Sequence, residues 1–317
     1  MTLRYGVGAS GDEIIAGNLQ QHTIRSQGLT LNLLSVGDAN APTLMMLHGL
    51  RDTAHALVPM VEAHLADSYR CLLLEQRGHG ASDKTAAYAM HNFILDVHNA
   101  AEALGLPDFA LFGHSLGGHI ATKYAALFPE KVSALVLVEG LGPPRRPHEG
   151  DAALELQAYR NMLLSRTNPP DPRPIKSLEE VAARLLRNNP RMDRELATGI
   201  APHMVRSTDD GYVWSFDNLA NSVFIGNTQR DNARFWRAVS CPTCIVTGRL
   251  SFEYWGRQMT GDGFDGSFRE GEMESRVAEF QRAEHHWFDH SGHMVHYDEA
   301  DRLGQLTRHF LDTHHNN

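Results

Sequence analysis

The chain has 317 residues, 42% hydrophobic and 21% charged, which excludes collagen, coiled coil and wholesale disorder. Its net charge of −9, from 29 basic and 38 acidic residues, argues against nucleic acid or an anionic membrane as the main partner, since both need a basic face. Three cysteines, Cys71, Cys241 and Cys244, are too few for a disulfide framework and point to a reducing compartment.

Residues 1–20 are polar and Gly-rich, without the apolar core of a signal peptide. No run reaches the ~18 apolar residues of a membrane span, so the expected location is the cytoplasm. Thr30 to Val36 alternates loosely and reads as an edge strand. Thr43–Leu47, Cys71–Leu74, Phe109–Phe112 and Val132–Val138 are short apolar runs closed by Gly or polar residues, as buried parallel strands are. Between them, Met90, Phe93, Ile94, Val97, Ala101 and Leu104 keep helical spacing, and Leu116 to Phe128 reads as a helix stopped by Pro129. Strands alternating with helices predict an α/β fold with a mostly parallel sheet.

The alternation pauses after Val138. Gly142 to Pro147 is Pro-rich, and beyond it Ala152, Leu156, Tyr159 and Leu163 share a helical face. After a second break at Pro169–Pro174, Ser177-x-x-Glu180 forms a capping box for a further helix. Asp193 to Val205 and Asp231 to Val239 also read as helical. The sheet resumes with the apolar run Thr243–Thr247. The chain therefore divides into a first core part (1–142), a helical cap (143–240) and a second core part (241–317). Cys241-Pro-Thr-Cys244 has CxxC spacing but runs into a strand instead of opening a helix, so it reads as structural and not as redox-active.

Gly113-His114-Ser115-Leu116-Gly117 lies between the strand Phe109–Phe112 and the helix from Leu116. A Ser held on a sharp strand-to-helix turn projects its oxygen, and the helix N-terminus favours developing negative charge. With this elbow, His48-Gly49-Leu50, the turn Glu75-Gln76-Arg77-Gly78-His79-Gly80-Ala81-Ser82 and a late Gly292-His293, the chain resembles the α/β-hydrolase superfamily from Gly28 onward. Leu137-Val138-Glu139-Gly140-Leu141-Gly142 and the inserted helices make it most similar to the serine hydrolase-like, carboxylesterase-type proteins. The resemblance implies a mostly parallel sheet flanked by helices, with a helical cap inserted after the sixth strand. It also implies an oxyanion hole from the backbone amides of Leu50 and Leu116. The Arg77-Gly78 turn and His48 read as supports of the fold.

A Ser hydroxyl needs a base within hydrogen-bond reach. His114 and His119 flank the elbow but point elsewhere, His119 as packing or surface. The superfamily order of Ser, acid, His makes His293 the base, with His296 as fallback. His290-x-x-His293-x-x-His296 could be imagined as metal ligands, but spacing alone shows neither convergence nor supporting partners, and no metal is assigned. The family's usual acid follows the strand Thr243–Thr247 in a Gly-x-x-Asp run, and here that run is Gly248-Arg249-Leu250-Ser251. Ser251 carries no charge, so the acid is placed at Glu139, where some relatives have one. Glu253, Asp262 and Asp265 are the rivals.

These residues predict an ester hydrolase that acts on a fairly hydrophobic small-molecule acyl substrate through a Ser-His-Glu triad and an acyl-enzyme. No metal or organic cofactor enters that chemistry. A lactonase or C–C bond hydrolase using the same Ser stays open, as do a non-catalytic binding protein of this fold and a homodimer. Met162, Leu163, Leu186, Phe216, Phe224 and Trp236 are the pocket candidates.

Overall fold

Apolar runs buried on both faces can satisfy their backbone only by pairing with one another. The computed structural model describes residues 19–145, 151–165, 173–224, 229–259 and 264–314. Its strands are β1 (Gln20–Ser26), β2 (Leu29–Val36), β3 (Thr43–Leu47), β4 (Arg70–Leu74), β5 (Phe109–His114), β6 (Val132–Val138), β7 (Val205–Thr208), β8 (Gly211–Trp214), β9 (Thr243–Gly248) and β10 (Ala283–Phe288). Eight of them form one sheet in the order β1-β2-β4-β3-β5-β6-β9-β10. β2 runs antiparallel to β1 and β4, and from β4 to β10 every pairing is parallel.

The period-two alternation of side chains sends each strand's residues to two apolar layers. Met45, Leu47, Leu111 and Leu135 pack with Phe93, Val97, Ile120 and Tyr124 from the helices Met90–Ala103 and Leu116–Leu127. Leu44, Met46, Phe112 and Val136 pack with Met60, Val61, Leu303 and Phe310 from the helices Val58–His64 and Ala300–His314. The turn after β4 supports the fold, as its sequence implies. Arg77 is buried, and its Nε donates to Asp96 at 2.6 Å. Glu75 accepts from Thr53 Oγ1 (2.6 Å), the Ala81 amide (2.7 Å) and Asn32 Nδ2 (3.0 Å).

A long insertion follows the sixth strand. It contains the helices Ala152–Ser165, Leu178–Asn188, Arg194–Ile200 and Gln229–Ala238. It is not wholly helical: β7 and β8 form a separate two-stranded ribbon. Strands of four residues, mostly half-exposed or exposed, leave almost no apolar signature, which is why periodicity misses them. The insertion has its own apolar cluster of Ile175, Val181, Leu185, Ile200 and Met204, joined from the main sheet's side by Ala56 and Tyr297. Among the described residues no helix is long and apolar enough to cross a membrane.

Candidate active site

β5 passes directly into the helix Leu116–Leu127, with only Ser115 between them. Ser115 takes φ 50° and ψ −112°, a strained conformation for a residue with a side chain. The turn closes because its flanks are bare. A Cβ on Gly113 would run into the backbone of Gly117, and one on Gly117 into the carbonyl of Leu47. The Ser115 amide donates to Val138 O at 2.9 Å, which ties the elbow to the end of β6.

At that strand end stands Glu139, also left-handed at φ 53°. His293 comes from the loop after β10. Its Nε2 lies 2.9 Å from Ser115 Oγ, and its Nδ1 lies 2.9 Å from Glu139 Oε2. Both His293 and Glu139 are buried. The other carboxylate oxygen, Glu139 Oε1, accepts from the Gly248 amide at 2.7 Å and from Ser251 Oγ at 2.6 Å. Ser251, at the position where the family's usual acid stands, thus contacts Glu139, the residue that sequence reasoning places as the acid. The Tyr254 ring stacks on the His293 imidazole with centroids 4.1 Å apart and planes at 11°, and Trp255 meets it edge-on at 4.8 Å. The backbone carbonyl of His293 accepts from His114 Nε2 at 2.9 Å.

The rival acids sit elsewhere. Glu253 pairs with Arg191 at 2.8 Å. Asp265 is exposed and accepts from the Ser267 amide at 2.9 Å, and Asp262 lies outside the described residues. His296, the fallback base, contacts Asp52 at 3.0 Å and not Ser115; Tyr297 OH donates to the same carboxylate at 2.7 Å. Burial works to raise the Asp52 pKa, but His296, the charge of His48 and the Tyr297 hydroxyl outweigh it and hold Asp52 at about 2. His290 is exposed. His119 is buried edge-on against Phe224, 5.4 Å between centroids, and burial pushes its pKa well below 6.5. His48 is fully buried and accepts the Gln76 amide at 3.1 Å, holding the loop that leads to Leu50. Cys241 and Cys244 are buried free thiols.

Gly49 brings that loop over Ser115: a Cβ there would lie 2.7 Å from His114 Nδ1 and 3.4 Å from Ser115 Cβ. Leu50 follows it, and Leu116 opens the helix, where the first amides have no intrahelical acceptor. Neither amide donates to another group among the described residues. A cavity of about 400 Å³ opens above Ser115 and His293, walled by Leu50, Leu185, Met204, Trp214, Phe216 and Met294.

Of the six pocket candidates, Phe216 lines this cavity. Leu186 packs inside the insertion, and its neighbour Leu185 faces the cavity instead. Trp236 is buried in the main core against Phe280, Phe224 covers His119, and Leu163 is exposed. The Met162 side chain lies outside the described residues. Helical spacing finds apolar faces but not which neighbour each face meets. Sequence reasoning took Ser251 only as an uncharged replacement of the usual acid and did not single out Tyr254.

The α/β-hydrolase fold family profile matches residues 42–300. A serine hydrolase-like protein of Danio rerio is 29% identical over 205 residues, 61% of this chain and 61% of that protein. The chain therefore spans about three fifths of that relative's length. The 2-(acetamidomethylene)succinate hydrolase of Mesorhizobium japonicum is 29% identical over 228 residues, 70% of this chain and 75% of that protein. Among solved structures, a thioesterase domain from the curacin biosynthetic pathway superposes with a TM-score of 0.76 at 21% identity, covering 92% of this chain and 99% of that one. At that identity the likeness is one of fold.

Proposed function

The chain belongs to the α/β-hydrolase fold family, and from that premise we propose that it is a serine hydrolase cleaving carboxylic esters through Ser115, His293 and Glu139. The reading is carried by one observation: an unbroken hydrogen-bond line from Ser115 Oγ through both nitrogens of His293 to Glu139, 2.9 Å at each step. Ser115 Oγ attacks the ester carbonyl as His293 Nε2 takes its proton. Glu139 keeps Nδ1 protonated and stabilises the imidazolium that forms. The amides of Leu50 and Leu116 hold the oxyanion, each donor worth about 3–4 kcal/mol in the transition state. His293 then protonates the leaving alcohol, and a water repeats the sequence on the acyl-enzyme. Residues 143–240 act as a cap that supplies Leu185, Met204, Trp214 and Phe216 to the acyl cavity.

The test is hydrolysis of chromogenic acyl esters of graded length, together with labelling by a fluorophosphonate. The wild-type protein turns over the esters and is labelled at Ser115. Ser115→Ala abolishes labelling and lowers kcat by about 10³-fold or more, and Glu139→Gln lowers kcat by about 10³–10⁴-fold. Glu253→Gln stays far more active than Glu139→Gln. An unlabelled wild-type protein, or a Ser115→Ala variant with wild-type turnover, would overturn the reading.

A further inference from the structure

Three carboxylate or guanidinium side chains line the cavity above Ser115: Arg51, Asp52 and Arg257. Asp52 is already committed, with one oxygen on His296 and the other on Tyr297. The two arginines differ from it. Among the described residues neither Arg51 nor Arg257 has an ion-pair partner, although the chain carries an acidic excess of nine charges. Nearby Arg191 shows the contrast, since it is paired with both Glu253 and Asp298.

Both arginines are placed by structure that faces the reaction. Arg51 directly follows Leu50 and is left-handed at φ 63°. Its amide donates to His79 Nε2 at 3.0 Å, which holds that unusual backbone. Its guanidinium carbon lies 6.0 Å from the ring centre of Phe216, a wall of the same cavity. Arg257 closes the short helix Phe252–Gln258, the helix that carries Tyr254, and its Nη2 reaches the Asn188 carbonyl of the insertion at 3.3 Å. Both guanidiniums act electrostatically on Tyr254, whose ring stacks on His293. A strained non-glycine backbone kept at a site, and two unpaired cations at the mouth above a nucleophile, together describe a receptor for negative charge.

We propose that the preferred ester carries a second, anionic group of the carboxylate kind, gripped by Arg51 and Arg257 while its scissile carbonyl lies on Ser115. The proposal rests on the serine hydrolase reading above and names its substrate class. The planar guanidinium fork matches a carboxylate in two parallel hydrogen bonds, which fixes orientation as well as charge. The apolar wall of Leu185, Met204, Trp214 and Phe216 then takes the remaining carbon chain.

The experiment compares p-nitrophenyl hemiglutarate, with the carboxylate on the acyl side, and the butyryl ester of 4-hydroxybenzoate, with it on the alcohol side, against neutral esters of the same length. At least one charged ester should exceed its neutral counterpart in kcat/KM by about tenfold or more, mainly through KM. Arg51→Gln and Arg257→Gln should each shrink that ratio, Arg257→Lys should keep part of it, and added salt should erode it. Glutarate should slow fluorophosphonate labelling of Ser115 in the wild-type protein and do so less in the two Gln variants. If both charged esters are no better than the neutral ones, or the variants lower both kinds equally, the substrate class is wrong while the serine hydrolase reading stands. If no ester is cleaved and Ser115 is not labelled, both fall.

Discussion

Ser251 is the residue whose meaning changes most between sequence and structure. Read alone, it is the gap where the usual acid is missing. In the fold its hydroxyl lies 2.6 Å from Glu139 Oε1 and 2.5 Å from the Gly248 carbonyl, so the position still touches the carboxylate proposed as the acid. Removing one hydrogen bond to a buried charge costs about 1.5–3 kcal/mol where that charge does the work. Ser251→Ala is therefore expected to lower kcat by about ten- to a hundredfold, measured on any ester the protein turns over. The positions are close enough to exchange roles: Glu139→Gln combined with Ser251→Asp should recover part of the activity that Glu139→Gln alone loses. A double variant no faster than the single one would show that the acid works from the end of β6 only. The sequence singles out Ser115 by its elbow and His293 by the late Gly-His, and the structure brings His293 within hydrogen-bond distance of both Ser115 and Glu139, the position chosen because the usual acid is absent. The cavity wall is not legible in the sequence, since Trp214, Met204 and Leu185 reach it through the packing of the insertion, which periodicity does not encode.

At the scale of elements, reading succeeded where strands are buried on both faces and failed at the margins. β3, β4, β5, β6 and β9 are continuous apolar runs. β10 is Ala-Glu-His-His-Trp-Phe, half-exposed along most of its length, and its residues resemble a loop. β1 is likewise an edge strand with mostly exposed side chains. The insertion is docked on the core by a few identifiable contacts. Arg191 reaches across to Glu253 at 2.8 Å and to Asp298 at 3.1 Å, and Asp298 also accepts the Gly292 amide at 2.7 Å, one residue before His293. Arg191 thus links the insertion to the loop that carries His293. The Glu253 pair is half-exposed and contributes little, but the Asp298 carboxylate is buried. Arg191→Met should cost about 1–2 kcal/mol and speed proteolysis within residues 173–214, read by limited digestion beside a thermal melt. Digestion at the wild-type rate would place the docking energy elsewhere.

For the whole molecule, the uneven burial of histidine sets the response to acid. His55 of the core stacks on His203 of the insertion, 3.5 Å between ring centres and 9° between planes. Burial, and then the neighbouring His203, bring His55 down to about 4. Burial and then His48 bring His79 down to about 3. Burial also lowers His48, His114, His119 and His203. Each of these groups titrates near 6.5 once unfolded, so below that value the unfolded chain binds more protons than the folded one, and stability falls as pH drops from 6.5 towards 4. Asp52 adds a later loss, between its ordinary 3.8 and its folded value of about 2. The melting temperature should be level above neutrality and drop by many degrees between pH 6.5 and about 4.5. His55→Asn with His203→Asn should flatten part of that slope, and an unchanged slope would exclude the stacked pair as a contributor.

The order of strands separates the three groups of the proposed triad. Ser115 and Glu139 follow β5 and β6, neighbours inside the sheet, and the Ser115 amide is bonded to the last residue of β6. His293 follows β10, which has a neighbour on one side only. Edges fray before interiors, so activity and architecture keep different clocks. If Ser115, Glu139 and His293 act as proposed, warm storage is expected to leave a population still pleated around Ser115 and Glu139 yet inactive for want of the imidazole. On the proposed triad, activity is expected to fade at the rim of this sheet before its centre opens.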